Sequence, residues 1–600
     1  MILVLGGTTE GRKVVSTLDK GGKPFFYSTR SDLQRVESHN AKRITGALDR
    51  ESMAEFCRKN DVRLIIDAAH PFASQLHSTV VEVGRECSIP LVRFERKFPP
   101  HDQRFIWCDS YEAAVEKLKD LGIQSLLALT GVQTISKLRG YWKTHRCFFR
   151  ILNRNESLVK AREMNFPEDR VVYYEKDGGI SHFIDELHPE AIITKESGET
   201  GGFSDKVEEA ISRGLKVFVV KRPALPAGFL TVTGEYGLRK VVEKVLPEFF
   251  GLRSGFTTGS CATAAAKAAL LALVNGEDME YVWISLPNGE EMCLPVENCR
   301  VIDGRVAEAV VVKDGGDDPD VTHGCSIVAK VMLADHGDIR FFGGEGVGKV
   351  CLPGVGLEIG EPAINPVPRK MMRNELLRIY PKGCDVTISV PGGAEIALQT
   401  FNPRIGIEGG ISIIGTSGVV MPFSNEAFVE AIKREMEVAK ASECGRVVLN
   451  SGARSEKAVK MIYPELPPVA FVHYGNAIGE SLEIANDLKI EKLTVGLMIG
   501  KAVKLAEGNL DTHSHKVTMN RSFLSELATR CGCGNKTIEI IKGINMAREL
   551  WTALSDDDAS RFFPALLSLC REECRKVYMT GELTVMLITD SGIIKYRDGE

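Results

Sequence analysis

The chain has 600 residues, 44% hydrophobic and 26% charged, which is too long for a single hydrophobic core and predicts two or more units. Its formal charge of −5, with acidic and basic residues interspersed, leaves no basic stripe for a phosphate backbone and excludes nucleic acid as a partner. Met1 runs directly into an apolar strand without a basic leader, and no apolar run approaches the roughly 20 residues that span a bilayer, so a cytosolic protein with no membrane contact is expected.

From the N-terminus, short apolar runs alternate with amphipathic stretches, the pattern of β-α units around a parallel sheet. Strands are expected at residues 2–5, 24–27, 64–67, 91–94, 126–129, 191–194 and 217–220, with helices such as 11–20 and 111–121 between them. The series restarts after Leu129, which predicts two α/β lobes, at about 1–122 and 123–250, with ligands at the carboxyl ends of the strands.

The first strand leads into Gly6, Gly7, Thr8, Thr9 and Gly11 and then a helix. Glycines there admit a pyrophosphate, and the free N–H groups of the helix start favour its charge. The second strand ends in Thr29 and Arg30, and a guanidinium beside hydroxyls suits a 2′-phosphate, so NADPH is expected over NADH. Asp67 and His70 in "IIDAAHPFA", and Lys195, Ser197, Gly198 and Lys206 in "ITKESGETGGFSDK", lie at further strand ends.

Near residue 250 the pattern restarts in "PEFFGLRSGFTTGS", a connection that precedes an Ala-rich helix at 261–274. Thr257, Thr258 and Ser260 at its start read as an anion site. Residues 281–400 are expected to be α+β, with hairpins at Asn288-Gly289 and Asp303-Gly304. Four aspartates in "KDGGDDPDVTHG" lack the spacing of a calcium loop, and no metal is assigned to them. From about residue 406 the β-α alternation returns, with strands at 411–414, 447–450, 470–473 and 493–499. Gly415, Thr416, Ser417 and Gly418 follow the first, Gly475 and Asn476 the third, and Gly500 and Lys501 the fourth. An adenosyl ligand is expected where these ends converge. Thr512, His513, Ser514 and His515 come next. The fold class is therefore α/β: two Rossmann-like lobes, an α+β subdomain at about 251–405 and a parallel-sheet α/β subdomain at about 406–600.

The 15 cysteines read as reduced thiols, because neither Cys531 and Cys533 nor Cys570 and Cys574 have C-x-x-C spacing. No repeats or low-complexity tracts are found.

Taken together, "GGTTEGR", "DAAHPFA", "LTGVQ" and "TKESG" resemble the precorrin-6A reductase family across residues 1–250. "GFTTGSCATAAAKAA", "KDGGDDPDVTHG", "GGEGVGKV", "INPVPR", "GGISIIGTSGVVMPFS" and "GKAVKLAEGNLDTHSH" resemble the cobalt-precorrin-5B methyltransferase family across residues 251–600. The resemblance implies a nicotinamide and S-adenosylmethionine as cofactors, a corrinoid substrate with or without cobalt, and two consecutive steps of cobalamin synthesis. Within the reductase motifs Gly131 becomes a cofactor residue, with His70 and Lys195 as candidate proton donors. Within the methyltransferase motifs Asp317, Asp318, His513 and His515 are candidate bases, and Arg369, Lys370 and Arg373 are candidate clamps for the corrinoid carboxylates. The competing readings are a non-catalytic tetrapyrrole carrier and a short-chain dehydrogenase fused to another protein. The sequence leaves self-association open.

Overall fold

The computed structural model describes all residues except 31–35, 99, 175–178, 199–202, 277, 514–517 and 600. Two compact units are present, Met1–Arg253 and Ser254–Glu600.

Twelve strands form the first unit: β1 (Ile2–Leu5), β2 (Phe25–Thr29), β3 (Ala41–Thr45), β4 (Leu64–Asp67), β5 (Leu91–Phe94), β6 (Ile106–Cys108), β7 (Ser125–Ala128), β8 (Arg146–Leu152), β9 (Val171–Tyr174), β10 (Ala191–Lys195), β11 (Lys216–Val220) and β12 (Phe229–Val232). They make two six-stranded sheets, ordered β12-β5-β4-β1-β2-β3 and β6-β11-β10-β7-β8-β9. All pairings are parallel, and the central strands are buried along their whole length, as the uninterrupted apolar runs require.

The lobes interleave, which corrects the expected division at 122 and 123. Strand β6 belongs to the second sheet, while β12 returns to pair with β5 of the first. The helix Glu235–Val245 then buries Leu238 and Val242 in the same core as Val14 and Leu18 of the helix Thr9–Asp19. Burial of that amphipathic stripe brings the end of the unit back to its beginning.

In the second unit the helix Thr258–Asn275 is buried on nearly every side, as an Ala-rich helix without a polar face must be. It stops at Gly276, which takes the left-handed cap conformation. Around it lie β13 (Gly255–Phe256), the hairpin β14 (Tyr281–Ser285) and β15 (Glu291–Pro295), then β16 (Asn298–Asp303), β17 (Val306–Val312), β18 (Ser326–Leu333), β19 (Ile339–Gly343), β20 (Lys349–Val350), β21 (Cys384–Ser389), β22 (Ile407–Glu408) and β23 (Val419–Val420). The main sheet there, β16-β17-β18-β21-β19, is antiparallel apart from β19 on β21.

The last sheet contains β24 (Val447–Asn450), β25 (Phe471–His473), β26 (Lys492–Met498), β27 (Glu582–Ile588) and β28 (Ile594–Asp598), in the order β25-β24-β26-β27-β28. Only β28 is antiparallel. Residues 411–414 are not a strand of this sheet. They bridge Val347 and Ile364 of the preceding subdomain, and β23 pairs with β13, so the α/β subdomain starts with the helix Asn425–Ala441 rather than near 406. No helix among the described residues is long and apolar enough to cross a membrane.

Candidate functional site

Each parallel sheet has a point where strand order reverses, and the loops on either side of it diverge to leave a crevice at the carboxyl ends. In the first sheet this point lies between β1 and β4. Thr8 caps the helix Thr9–Asp19 by accepting from the Gly11 N–H, and its hydroxyl donates to the Ala68 carbonyl at 2.7 Å, which ties the glycine loop to the end of β4. Gly6 and Gly11 are packed against Tyr27, where a Cβ on Gly6 would lie 2.2 Å from the ring. Gly7 differs: it has φ +97° and nothing within 4 Å of a would-be Cβ, so its backbone faces open space as a phosphate cradle requires. Thr29 is buried at the end of β2 and Arg30 is exposed beside it.

The second sheet reverses between β7 and β10, which places Gly131 and Lys195 on either side of its crevice. Gly131 also has a positive φ with open space beside it. Lys195 lies with its ammonium 5.5 Å from the Phe72 ring centre, and it has no carboxylate or hydrogen-bond partner among the described residues. Burial, with a smaller push from Lys137, lowers its pKa to about 8. His70 is driven down to about 4 by burial and by the Arg96 and Lys195 charges, so it is neutral at physiological pH. Its Nδ1 accepts from the Phe72 N–H at 3.2 Å.

Behind these residues stands a buried ionic group that sequence reasoning did not assemble. Asp67 accepts from His77 at 2.5 Å and from Arg93 at 2.9 Å, and these bonds hold its carboxyl below the usual range against the opposing effect of burial. Arg96 donates to Glu10 and to the Ser197 carbonyl, both at 2.6 Å. Ser197 and Gly198, expected to touch cofactor, are thereby occupied: a Cβ on Gly198 would sit 2.6 Å from the Arg96 side chain. The glycine makes room for Arg96.

In the second unit two expected ligand sites fill one another. Thr257 caps its own helix by accepting from Ser260 N–H, Thr258 Oγ1 accepts from Ile414 N–H at 2.9 Å, and Ser260 Oγ donates to Gly418 O at 2.7 Å. The Gly259 N–H donates to Ile414 O at 2.8 Å. The helix start is therefore satisfied by the chain itself, which corrects the anion site expected at Thr257, Thr258 and Ser260. Gly415 and Gly418 are glycines because Thr257 and Ser260 lie 2.2 and 2.9 Å from their would-be Cβ positions. This loop does not end a strand of the parallel sheet, which corrects the adenosyl site expected at Gly415–Gly418. Thr416 is exposed, and Ser417 donates to Val419 O.

The parallel sheet of this unit reverses between β24 and β26. At the end of β24 the Asn450 side chain is fully buried and its Oδ1 has no hydrogen-bond partner among the described residues, although Nδ2 donates to Val448 O. Gly452, the N-cap of the helix Ala453–Lys460, and Gly500, in the first turn of the helix Ile499–Leu505, have open space above them. Lys501 donates to Asn476 Oδ1 at 2.6 Å, to Thr512 Oγ1 at 3.3 Å and to Gly475 O. Its three protons are used in bracing the loop, and burial lowers its pKa to about 8. Beside β25, Arg404, Glu456, Lys460 and His473 line a cavity of about 670 Å³. Hydrogen bonds from His473 and Lys460, with the Arg404 charge, hold Glu456 down at about 2 despite its burial.

Among the aspartates, Asp318 accepts from Phe423 N–H at 3.1 Å and Asp320 from the buried Lys313 at 2.8 Å, while Asp317 is exposed. His513 is half-buried next to Thr512, and Ser514 and His515 lie outside the described residues. Arg369 and Arg373 are paired with Glu361 and Asp338, and with the exposed Lys370 they border a cavity of about 840 Å³.

The chain matches three family models: precorrin-6x reductase CbiJ/CobK over residues 1–243, CbiD over 247–422 and the CbiD C-terminal domain over 511–599. It is 45% identical over 347 residues to the cobalt-precorrin-5B C(1)-methyltransferase of Prosthecochloris aestuarii, covering 56% of this chain and 94% of the relative. The chain belongs to the cobalt-precorrin-5B C(1)-methyltransferase family. The Geobacillus kaustophilus member is 43% identical over 341 residues, covering 56% of this chain and 91% of its own. These matches to the methyltransferase family leave the first unit to the reductase model, so the chain is a fusion of a precorrin-6x reductase and a cobalt-precorrin-5B C(1)-methyltransferase. A solved precorrin-6A reductase, CobK, is 22% identical and covers 41% of this chain and 97% of its own, with a TM-score of 0.35.

Proposed function

We propose that this enzyme methylates cobalt-precorrin-5B at carbon 1 in its second unit and reduces the resulting cobalt-precorrin-6A in its first. The observation that carries the methyl-donor assignment is the unpaired Asn450 Oδ1: a buried acceptor without a donor costs about 1–3 kcal/mol and fits a site completed by a ligand. S-Adenosylmethionine would lie across the ends of β24, β25 and β26, held by Asn450, Gly452, Gly475, Asn476 and Gly500. Its ribose would extend toward Glu456 and His473. Bound there, it supplies an electrophilic methyl group. Lys501 acts by bracing the Gly475–Asn476 loop against Thr512. Asp317 and His513 are the candidate bases for the proton that leaves the macrocycle, with Asp318 positioning its neighbours. The cavity beside Arg369, Lys370 and Arg373 suits the carboxylates of the corrinoid rim.

In the first unit, NADPH would be held by Gly6, Gly7, Thr9 and Gly11, with Thr29 and Arg30 toward the 2′-phosphate and Gly131 across the cleft. Bound there, the nicotinamide supplies a hydride. The chain's own part is the proton. The unpaired, desolvated ammonium of Lys195 gives one up more readily than an ordinary lysine, whereas His70 is already deprotonated at neutral pH and orients the neighbouring chain. Equilibrium dialysis of the full chain tests the two seats: Asn450→Leu is expected to lose S-adenosylmethionine alone, and Arg30→Ala to weaken NADPH alone. Loss of both cofactors in either variant would contradict two separate seats.

A further inference from the structure

Seven non-glycine residues have left-handed φ values among those described: Asp61, Ser88, Asn165, His188, Phe423, Glu443 and Lys489. Six are polar and sit one or two residues past a helix end, where this conformation caps the helix. Phe423 is the exception. It precedes a helix, with φ 55°, and a bulky side chain in that conformation is strained. Its ring is also 73% exposed, so burial does not repay the strain. The conformation is held from both sides: Asp318 Oδ1 accepts its N–H, and Ser424 next to it caps the helix Asn425–Ala441 by accepting from Ala427 N–H at 3.2 Å.

Phe423 also occupies a junction. Its backbone is tied to the aspartate loop, and one turn into the following helix the Phe428 ring packs over Gly475, with Cζ 2.8 Å from the would-be Cβ. The residue thus lies on the chain segment that joins the Asp317–Asp318 loop to the donor-side loops. A strained conformation that presents an aromatic face to solvent makes sense when a ligand covers that face. The occupant with matching chemistry is a flat, conjugated macrocycle.

We propose that Phe423 is a macrocycle-contacting residue of the methyltransferase, held in its strained conformation by Asp318 so that its ring meets the face of the corrinoid. This rests on the methyltransferase reading above. It also reassigns Asp318 from candidate base to positioning residue.

The test uses the full chain and cobalt-precorrin-5B, with KM for the corrinoid, kcat, the S-adenosylmethionine Kd and Tm measured for wild type, Phe423→Gly, Phe423→Asn and Phe423→Tyr. Glycine and asparagine accept the left-handed conformation, so both variants should melt at or above wild type. Their corrinoid KM should nevertheless rise about tenfold, the scale of an aromatic contact, with the donor Kd unchanged. Tyrosine should keep the wild-type KM. Unchanged KM in Phe423→Gly, or a lowered Tm in both Gly and Asn variants, would overturn the contact while leaving the methyltransferase reading intact. A wild-type chain that methylates no corrinoid would overturn both.

Discussion

Arg96 and Glu10 form a buried ion pair at 2.6 Å, with both side chains about 5% exposed or less. Because the same guanidinium donates to Ser197 O, one side chain joins the helix start of the first sheet to the strand end of the second. Removing either partner breaks the pair and strips the remaining buried charge of its closest opposite charge. Arg96→Ala should therefore cost about 3–5 kcal/mol of first-unit stability, whereas replacing Arg96 and Glu10 together by methionine should cost less. Urea unfolding of the full chain, followed by loss of NADPH-dependent reduction, reads the difference. Equal losses in the single and double variants would mean that the pair is not what holds the lobes.

Proton delivery by Lys195 sets a pH dependence with a definite sign. Burial has lowered the pKa to about 8, and the donor is the protonated form, so kcat/KM for reduction should fall as pH rises through about 8. Lys195→Met should remove the inflection and most of the rate. A profile that instead breaks near the ordinary histidine value and survives Lys195→Met would assign the proton to another group.

Asn450 should show opposite effects on stability and function. Leucine has nearly the same shape and removes the buried unpaired acceptor, so Asn450→Leu should leave Tm unchanged or raised. Loss of a bond to a charged donor group, worth about 1.5–3 kcal/mol, should weaken S-adenosylmethionine binding by about tenfold or more. Calorimetry showing wild-type donor affinity in a folded Asn450→Leu protein would move the site away from β24.

Gly418 makes a complementary case. Its φ of +82° and the 2.9 Å approach of Ser260 leave no room for a side chain, so Gly418→Val should destabilise the second unit by about 1–3 kcal/mol. Thr416→Ala, on the exposed side of the same loop, should melt like wild type. If Gly418→Val folds normally but loses the methyl donor, the loop touches ligand after all.

The α/β class of each unit was legible because buried parallel strands read as short apolar runs, and the "ILVLGGTTEGR" segment announced a strand, a glycine turn and a helix. What stayed hidden depended on contacts distant in sequence. Nothing local reveals that β12 returns to β5, or that Arg96 finds Glu10 across 86 positions. The "GTSG" glycines looked like ligand glycines because close backbone approach leaves the same signature whether the neighbour is an adenosyl group or Thr257 and Ser260. Asn450 was legible only as the last residue of a strand, since burial without a partner is a three-dimensional property. The tell-tale for Phe423 is equally invisible in sequence, where "MPFSNEAF" reads as an ordinary helix start.

The NADPH preference rests on Arg30, exposed at the end of β2. Arg30→Ala should weaken NADPH binding by about 1.5–3 kcal/mol and leave NADH nearly unchanged, because only the former carries the phosphate. Equal losses measured by fluorescence titration would remove the assignment.

The most direct measurement is a single incubation of the full chain with cobalt-precorrin-5B, S-adenosylmethionine and NADPH, followed by product mass. The predicted product is heavier than the substrate by one methylene and two hydrogens, by one methylene alone when NADPH is omitted, and unchanged when S-adenosylmethionine is omitted. A product that gains the two hydrogens without the methyl group, or gains neither with both cofactors present, would contradict two successive steps on one chain.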